Sequence, residues 1–111
     1  MMRPLTIAAG LWLAPMLLAA APAAKVGDAK KGRQLAYTCQ GCHGVEGYKN
    51  AYPNYHVPRI GGQSYEYLTN ALTEYREGRR KHATMQAQAE SFSAQDIADI
   101  AAYLSTVNAK K

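Results

Sequence analysis

The chain has little cysteine, little excess charge and no long apolar run beyond its first two dozen residues. Two cysteines in 111 residues limit any thiol chemistry to a single pair. Thirteen Lys and Arg against eight Asp and Glu give a net charge of only +5. The basic residues are not interleaved with aromatic ones, which argues against a nucleic-acid binder. No segment alternates apolar and polar residues for long enough to predict a β-strand.

The apolar start of the chain predicts export. It reads "MMRPLTIAAGLWLAPMLLAAAPAAK", with Arg3 before an apolar run and small residues at its end. We expect residues 1–23 to be a signal peptide, cleaved after Ala23, that directs the protein to the periplasm. The alternative is a retained membrane anchor. It is less favoured because Gly10 and Pro15 interrupt a run that is barely long enough to span a bilayer.

Residues 24–111 are then expected to form one small domain, without stable membrane insertion after cleavage. Removing 23 of the 111 residues leaves 88, and losing Arg3 lowers the net charge from +5 to +4. A domain of this size buries a thin core and usually needs a disulfide, a metal or a cofactor to hold it together.

Three segments predict helices, at about residues 28–42, 64–78 and 92–107. The first begins at Asp28, a plausible N-cap, the second begins at Ser64, and Ser93 and Asp96 make a capping box in the third. The third also has a helical apolar stripe that predicts its buried face: Ile97, Ile100, Ala101 and Leu104. The segment "GVEGYKNAYPNYHVPRIGGQ", residues 44–63, is rich in glycine, proline, asparagine and tyrosine and predicts a loop. A loop of this length in so small a domain is unusual. The prediction is an all-α fold with three main helices and one long loop wrapped around a central group.

The stretch "YTCQGCHGVEG" places both cysteines, Cys39 and Cys42, directly before His43. A thioredoxin-like redox pair would need a strand and a βαβ unit, which the sequence does not predict. Zinc would need four ligands. Cys39, Cys42, His56 and His82 supply four, but their spacing fits no common zinc module. A disulfide across two residues would close a very short loop and stabilise the domain little.

Covalent haem attachment uses every residue of this C-x-x-C-H motif. The two thiols add to the haem vinyl groups, and His43 is then held beneath the iron as its proximal ligand. Behind a signal peptide, in a small helical protein with no other cysteine, the motif predicts one covalently bound haem c.

Met85 is the candidate for the sixth iron ligand. Met1, Met2 and Met16 lie in the predicted signal peptide, so Met85 is the one methionine of the mature chain. It lies 42 residues after His43, between the second and third predicted helices. The alternatives are that Met85 only fills the core, or that His82 or His56 binds the iron.

Four segments resemble class I c-type cytochromes, of the monohaem c4, c5 and c553 kind found in bacteria. They are "GDAKKGRQLAYTCQGCHG", "VPRIGGQSYEYL", "YREGRRKHATMQ" and "FSAQDIADIAAYLS", and together they cover residues 27–107. Ile60 and Phe92 stand where the family usually has leucine. The resemblance implies that the backbone carbonyl of Pro58 accepts a hydrogen bond from the proximal His43. It also implies a close crossing of the first and last helices, with Gly32 as a contact point and Tyr103 as its partner.

The ligand set His43 and Met85 leaves no open position on the iron and therefore predicts one-electron transfer rather than catalysis. We expect a periplasmic carrier between redox proteins, with a membrane quinol-oxidising complex or dehydrogenase as donor and an oxidase or reductase as acceptor. The alternative is a haem subunit of a larger oxidoreductase, such as a flavocytochrome or a sulfur-oxidising complex. The basic residues 79–81 are candidates for docking to an acidic partner, or are a solvated helix end.

Overall fold

The computed structural model describes Gly10, residues 26–46 and residues 56–107, and within these it contains helices and loops but no strand. The predicted signal peptide, apart from Gly10, lies outside the described residues, and so do Tyr48, Tyr52 and Tyr55 of the long loop. The helices are α1 (Ala29–Leu35), a 3₁₀ turn (Ala36–Cys39), α2 (Gln40–His43), α3 (Tyr65–Arg76), α4 (Ala83–Glu90) and α5 (Ala94–Thr106).

The starts of α1, α3 and α5 and the end of α3 lie where the sequence signals placed them. The Asp28 carboxylate accepts hydrogen bonds from two backbone N–H groups in the first turn of α1, and Ser64 caps α3. Gly78 follows α3 with a φ of 75°, a conformation that favours glycine. Ser93 and Asp96 form the predicted capping box of α5, each side chain bonded to the other residue's backbone N–H.

Two features differ from the prediction. The first helical segment is not continuous, because a 3₁₀ turn separates α1 from α2 directly before the cysteines. The short helix α4, which carries Met85, was not predicted at all. Its sequence, "ATMQAQAE", has no apolar stripe and begins without a serine, threonine, asparagine or aspartate cap. Packing against α3 gives it the tertiary support that its sequence lacks.

Helices α1 and α5 cross in backbone contact at Gly32. A Cβ atom added to Gly32 would lie 1.8 Å from the carbonyl oxygen of Asp99 and 3.0 Å from the amide nitrogen of Ile100. Gly32 is therefore the expected contact point. The atoms nearest to a side chain there belong to the backbone of Asp99 and Ile100, and the role of Tyr103 as a partner at the crossing stays a prediction. The buried Tyr103 hydroxyl instead lies 3.4 Å from the Glu46 carboxylate.

The core is formed mainly by one face of α5, with Ile97, Ile100, Ala101 and Leu104 all at most 2% exposed. This is the face that the sequence pattern predicted. The core also includes Leu68 of α3. Helix α3 packs against both α5 and α4, and residues of all three helices line a cavity.

A buried carboxylate fastens the start of α1 to α5. Asp99 is 1% exposed. Its Oδ1 accepts hydrogen bonds from the Asp28 backbone N–H at 2.7 Å and from the Gln95 side chain at 2.9 Å. Lys31 lies 3.7 Å from its other oxygen. The backbone hydrogen bond is the main reason that the pKa of Asp99 lies below its ordinary value, and Gln95 and Lys31 lower it further.

We expect Asp99→Asn to lower the free energy of unfolding at neutral pH and to reduce the loss of stability as the pH falls. The lowered folded-state pKa means that Asp99 contributes fully above the ordinary carboxyl pKa, about 4, and loses this contribution as the pH falls below it. Hydrogen bonds to a charged group contribute about 1.5–3 kcal/mol. In denaturant unfolding of the haem-loaded protein between pH 7 and about 3, the free energy of unfolding should change less with pH in the variant than in the wild type. A parallel pH dependence in both proteins would contradict this role.

Candidate functional site

The two thiols and the imidazole lie on one short helical turn. Cys39 ends the 3₁₀ turn, and Cys42 and His43 end α2. Gly44 then leaves the helix in the left-handed conformation, with a φ of 56°. Cys39 and Cys42 are half-buried free thiols. Burial raises the pKa of Cys39, Thr38 partly opposes this through a hydrogen bond, and the neighbouring Cys42 raises it slightly more. The Cys39 thiol is therefore predominantly protonated at neutral pH.

His43 is held in a defined orientation and tautomer. It is 7% exposed, and its Nδ1 lies 2.7 Å from the backbone carbonyl oxygen of Pro58. A carbonyl oxygen can only accept, so Nδ1 must carry the proton. In the neutral ring the lone pair is then on Nε2, the nitrogen free to bind a metal. A hydrogen bond of this kind also raises the basicity of an imidazole ligand.

Helix α3 supplies an apolar and aromatic wall, and the segment after it supplies a cation. Tyr67, Leu68, Leu72 and Tyr75 all line the cavity. Arg80 lines it too, with its guanidinium 5.0 Å from the ring centre of Tyr75 and 5.9 Å from that of Tyr67. Both Arg80 terminal nitrogens lie 3.4 Å from the Tyr67 hydroxyl. Within the described part of the chain, the structure gives Arg80 no ion pair.

Met85 lies in the first turn of α4, and its side chain is half-buried at the cavity. Its backbone N–H donates to Nδ1 of His82 at 3.3 Å, and His82 is the N-cap of the helix. His82 and His56, the alternative iron ligands, also line the cavity and are exposed residues.

One cavity therefore brings together the predicted site residues. Its wall includes Cys39, Cys42, His43, Pro58 and Met85, although they come from segments as far apart as residues 39 and 85. The zinc alternative finds no support in this geometry. Among the residues that the structure describes, no three His, Cys, Asp or Glu side chains are close enough together to hold a metal ion.

The donor set fits haem c. It consists of two thiols on a cavity wall, an imidazole with its lone pair on Nε2, and a thioether elsewhere on the wall. Most of the remaining wall is apolar or aromatic, which suits a porphyrin ring. Arg80 provides a cation suited to the carboxylates at the haem edge.

The residues that the sequence predicted for the site all line the cavity, but sequence reasoning gave two further residues there no role in it. Arg80 was interpreted only as part of the basic run at residues 79–81, but the structure gives the members of this run different surroundings. Arg79 is exposed and forms a 2.6 Å ion pair with Glu77, whereas Arg80 is half-buried at the cavity. His82 was considered only as a rival ligand, although its position three residues before Met85 is the spacing of an N-cap.

No helix in the described part of the chain is long and apolar enough to cross a membrane.

Comparison with known proteins identifies relatives along almost the whole domain. The family model for cytochrome c matches residues 29–108. The chain is 45% identical over 83 residues to cytochrome c-554(548) of Halomonas halodenitrificans, covering 72% of this chain and 96% of that protein. It is 33% identical over 107 residues to the cytochrome subunit of sulfide dehydrogenase of Chlorobaculum tepidum, covering 96% and 94%.

The fold is also similar to that of solved cytochromes. Cytochrome c4 from Pseudomonas stutzeri superposes with a TM-score of 0.63 at 28% identity, covering 76% of this chain and 53% of that one. The chain thus spans about half the length of that structure. The likeness agrees with the predicted class I cytochrome c fold.

Proposed function

Because this chain belongs to the cytochrome c family and is an electron-transfer protein that uses haem c, we propose that it is a periplasmic one-electron carrier whose haem iron is ligated by His43 and Met85. The observation that carries the proposal is the single cavity lined by both cysteines, His43 and Met85. The 2.7 Å contact between His43 Nδ1 and the Pro58 carbonyl supports His43 as the proximal ligand.

Cys39 and Cys42 would hold the haem by two thioether bonds. Each S–H would add across one vinyl C=C bond, so that a C–S bond would form and the thiol proton would go to the other vinyl carbon. The addition needs no net oxidant or reductant. The short turn that carries both thiols also carries His43, so anchoring the ring brings the imidazole to the iron.

Bound haem c supplies the Fe(III)/Fe(II) couple. The chain sets the conditions for it. Pro58 orients His43 and raises its basicity, a Met85 thioether favours a higher potential, and the apolar wall keeps water away. With His43 and Met85 as its ligands, the iron would have no position left for a substrate, which agrees with electron transfer rather than catalysis.

Redox proteins are the expected partners. The proposed donor is a membrane quinol-oxidising complex or a dehydrogenase, and the proposed acceptor is an oxidase or reductase. Lys81 and Arg79 are exposed near the cavity, but Arg79 is already paired with Glu77. We therefore expect this basic run to contribute less to the electrostatic docking of an acidic partner than its sequence implied.

A second candidate is a haem subunit of a larger oxidoreductase. The similarity to the cytochrome subunit of sulfide dehydrogenase, which extends over 94% of that protein, favours it specifically. Purification from native periplasm and membranes separates the two candidates, because a carrier travels alone whereas a subunit co-purifies in fixed ratio with its catalytic partner.

One expression experiment tests haem attachment and export together. In a host with c-type cytochrome maturation, the full-length chain should yield a coloured periplasmic protein. Its mass should equal residues 24–111 plus one haem, and its colour should survive acid–acetone extraction. A chain without residues 1–23 should give colourless apoprotein, because haem attachment occurs outside the cytoplasm. Extractable haem, bound zinc or a coloured cytoplasmic product would contradict the proposal, as would normal maturation of Cys39→Ala or Cys42→Ala.

A further inference from the structure

We propose that His82 is the positioning residue for Met85: its imidazole caps α4 and thereby holds the turn that presents the thioether. The inference rests on the proposed His43/Met85 ligation and adds to it the residue that controls how firmly Met85 is held. Its starting point is the 3.3 Å contact from the Met85 backbone N–H to Nδ1 of His82.

The geometry is that of an N-cap. His82 has extended backbone angles, with a φ of −166° and a ψ of 110°. Its carbonyl oxygen accepts the first helical hydrogen bond, from the Gln86 N–H at 2.8 Å. Its side chain accepts from the third residue of the helix, which is Met85. A serine, threonine, asparagine or aspartate usually performs this function, and here an imidazole nitrogen performs it.

Helix α4 has little else to hold its first turn. It is eight residues long, has no acidic residue in the first turn and has no capping box. An isolated helix of this length is not stable in water. Its buried residue, Ala89, lies near the far end, whereas the His82 imidazole contacts the backbone of Met85 itself.

The same contact argues against His82 as the sixth iron ligand. Nδ1 accepts a hydrogen bond from the Met85 N–H, so it is unprotonated and its lone pair is already used. In the neutral ring, Nε2 then carries the proton and cannot donate a lone pair to iron. For His82 to bind iron, the cap would have to break or the ring would have to change tautomer. In this arrangement Met85 binds the iron and His82 positions Met85.

Imidazole titration of the oxidised, haem-loaded protein tests the role. Added imidazole competes with the Met85 sulfur, and its binding abolishes the near-infrared sulfur-to-iron charge-transfer band. His82→Ala should keep the band at rest but bind imidazole about fivefold more tightly, the ratio that corresponds to a typical N-cap hydrogen bond. His82→Asn, whose side-chain oxygen can cap the same N–H, should return the affinity to the wild-type value.

Ser93→Ala is the matched control. It removes the cap of α5, at a comparable cost to global stability, without touching the turn of Met85. It should leave imidazole affinity unchanged. If His82→Ala bound imidazole with the same affinity as the wild type, the positioning role would be overturned. If Ser93→Ala increased imidazole affinity as much as His82→Ala did, the role would also be overturned, because the effect would then reflect general destabilisation. A wild-type protein without the band would overturn Met85 ligation itself, and with it this inference.

Discussion

Met85→Ala should abolish the near-infrared sulfur-to-iron charge-transfer band of the oxidised protein and open the sixth iron position to water or added ligands. Met85 is the one methionine of the predicted mature chain, and it is half-buried at the cavity that His43 also lines. Removing its thioether takes away the ligand that favours the reduced iron. We expect the reduction potential to fall by on the order of 0.1 V, within the ~0.8 V range that axial ligands span.

Histidine variants provide the controls for this experiment. His56→Ala should leave the band and the potential in place, and His82→Ala should leave the band in place without added ligand. Absorption spectroscopy and redox titration of the wild type and the three variants distinguish the outcomes. If the wild type lacked the band and Met85→Ala left the potential unchanged, Met85 would be core packing only. A histidine ligand would then be sought at His82, and a closed electron-transfer site would no longer follow.

Gly32→Ala should be strongly destabilising, although it adds only one methyl group. The new Cβ would lie 1.8 Å from the carbonyl oxygen of Asp99 and 2.4 Å from its carbonyl carbon. Both atoms belong to the backbone of α5 and cannot rotate away as a side chain would. Helices α1 and α5 must therefore separate, which also strains the hydrogen bond between Asp28 and Asp99. We expect a loss of about 3 kcal/mol or more in the free energy of unfolding.

Gly41→Ala is the matched control for the helix crossing. Gly41 lies in α2, and an added Cβ would have no atom within 4 Å apart from those of its neighbours and its own helix backbone. Alanine there should be neutral or stabilising by up to about 1 kcal/mol, because it favours the helix more than glycine does. Denaturant unfolding of both haem-loaded variants measures the difference. A Gly32→Ala variant within about 0.5 kcal/mol of wild type, the range of an ordinary surface substitution, would contradict a rigid backbone crossing.

The chemistry of this protein could be predicted from the sequence by itself, because it depends on residues that are close together in the chain. C-x-x-C-H needs only five adjacent residues, so Cys39, Cys42 and His43 could be identified without a fold. Capping residues act within one helical turn, so the starts of α1, α3 and α5 were predicted correctly. The buried face of α5 followed from its helical spacing for the same reason.

Only the tertiary structure decided the features that depend on distant segments. Helix α4 lacks a local signal and is supported by packing on α3, so its existence was missed. The backbone atoms of Asp99 and Ile100 that lie nearest to Gly32 could not be named from the sequence, because they come from a helix about 70 residues away. Arg79 and Arg80 are neighbours of the same type, and only the fold shows that Arg80 lies over the tyrosines whereas Arg79 pairs with Glu77. His82 has the same side chain whether it binds iron or caps a helix, and the position of the Met85 N–H relative to its ring favours the cap.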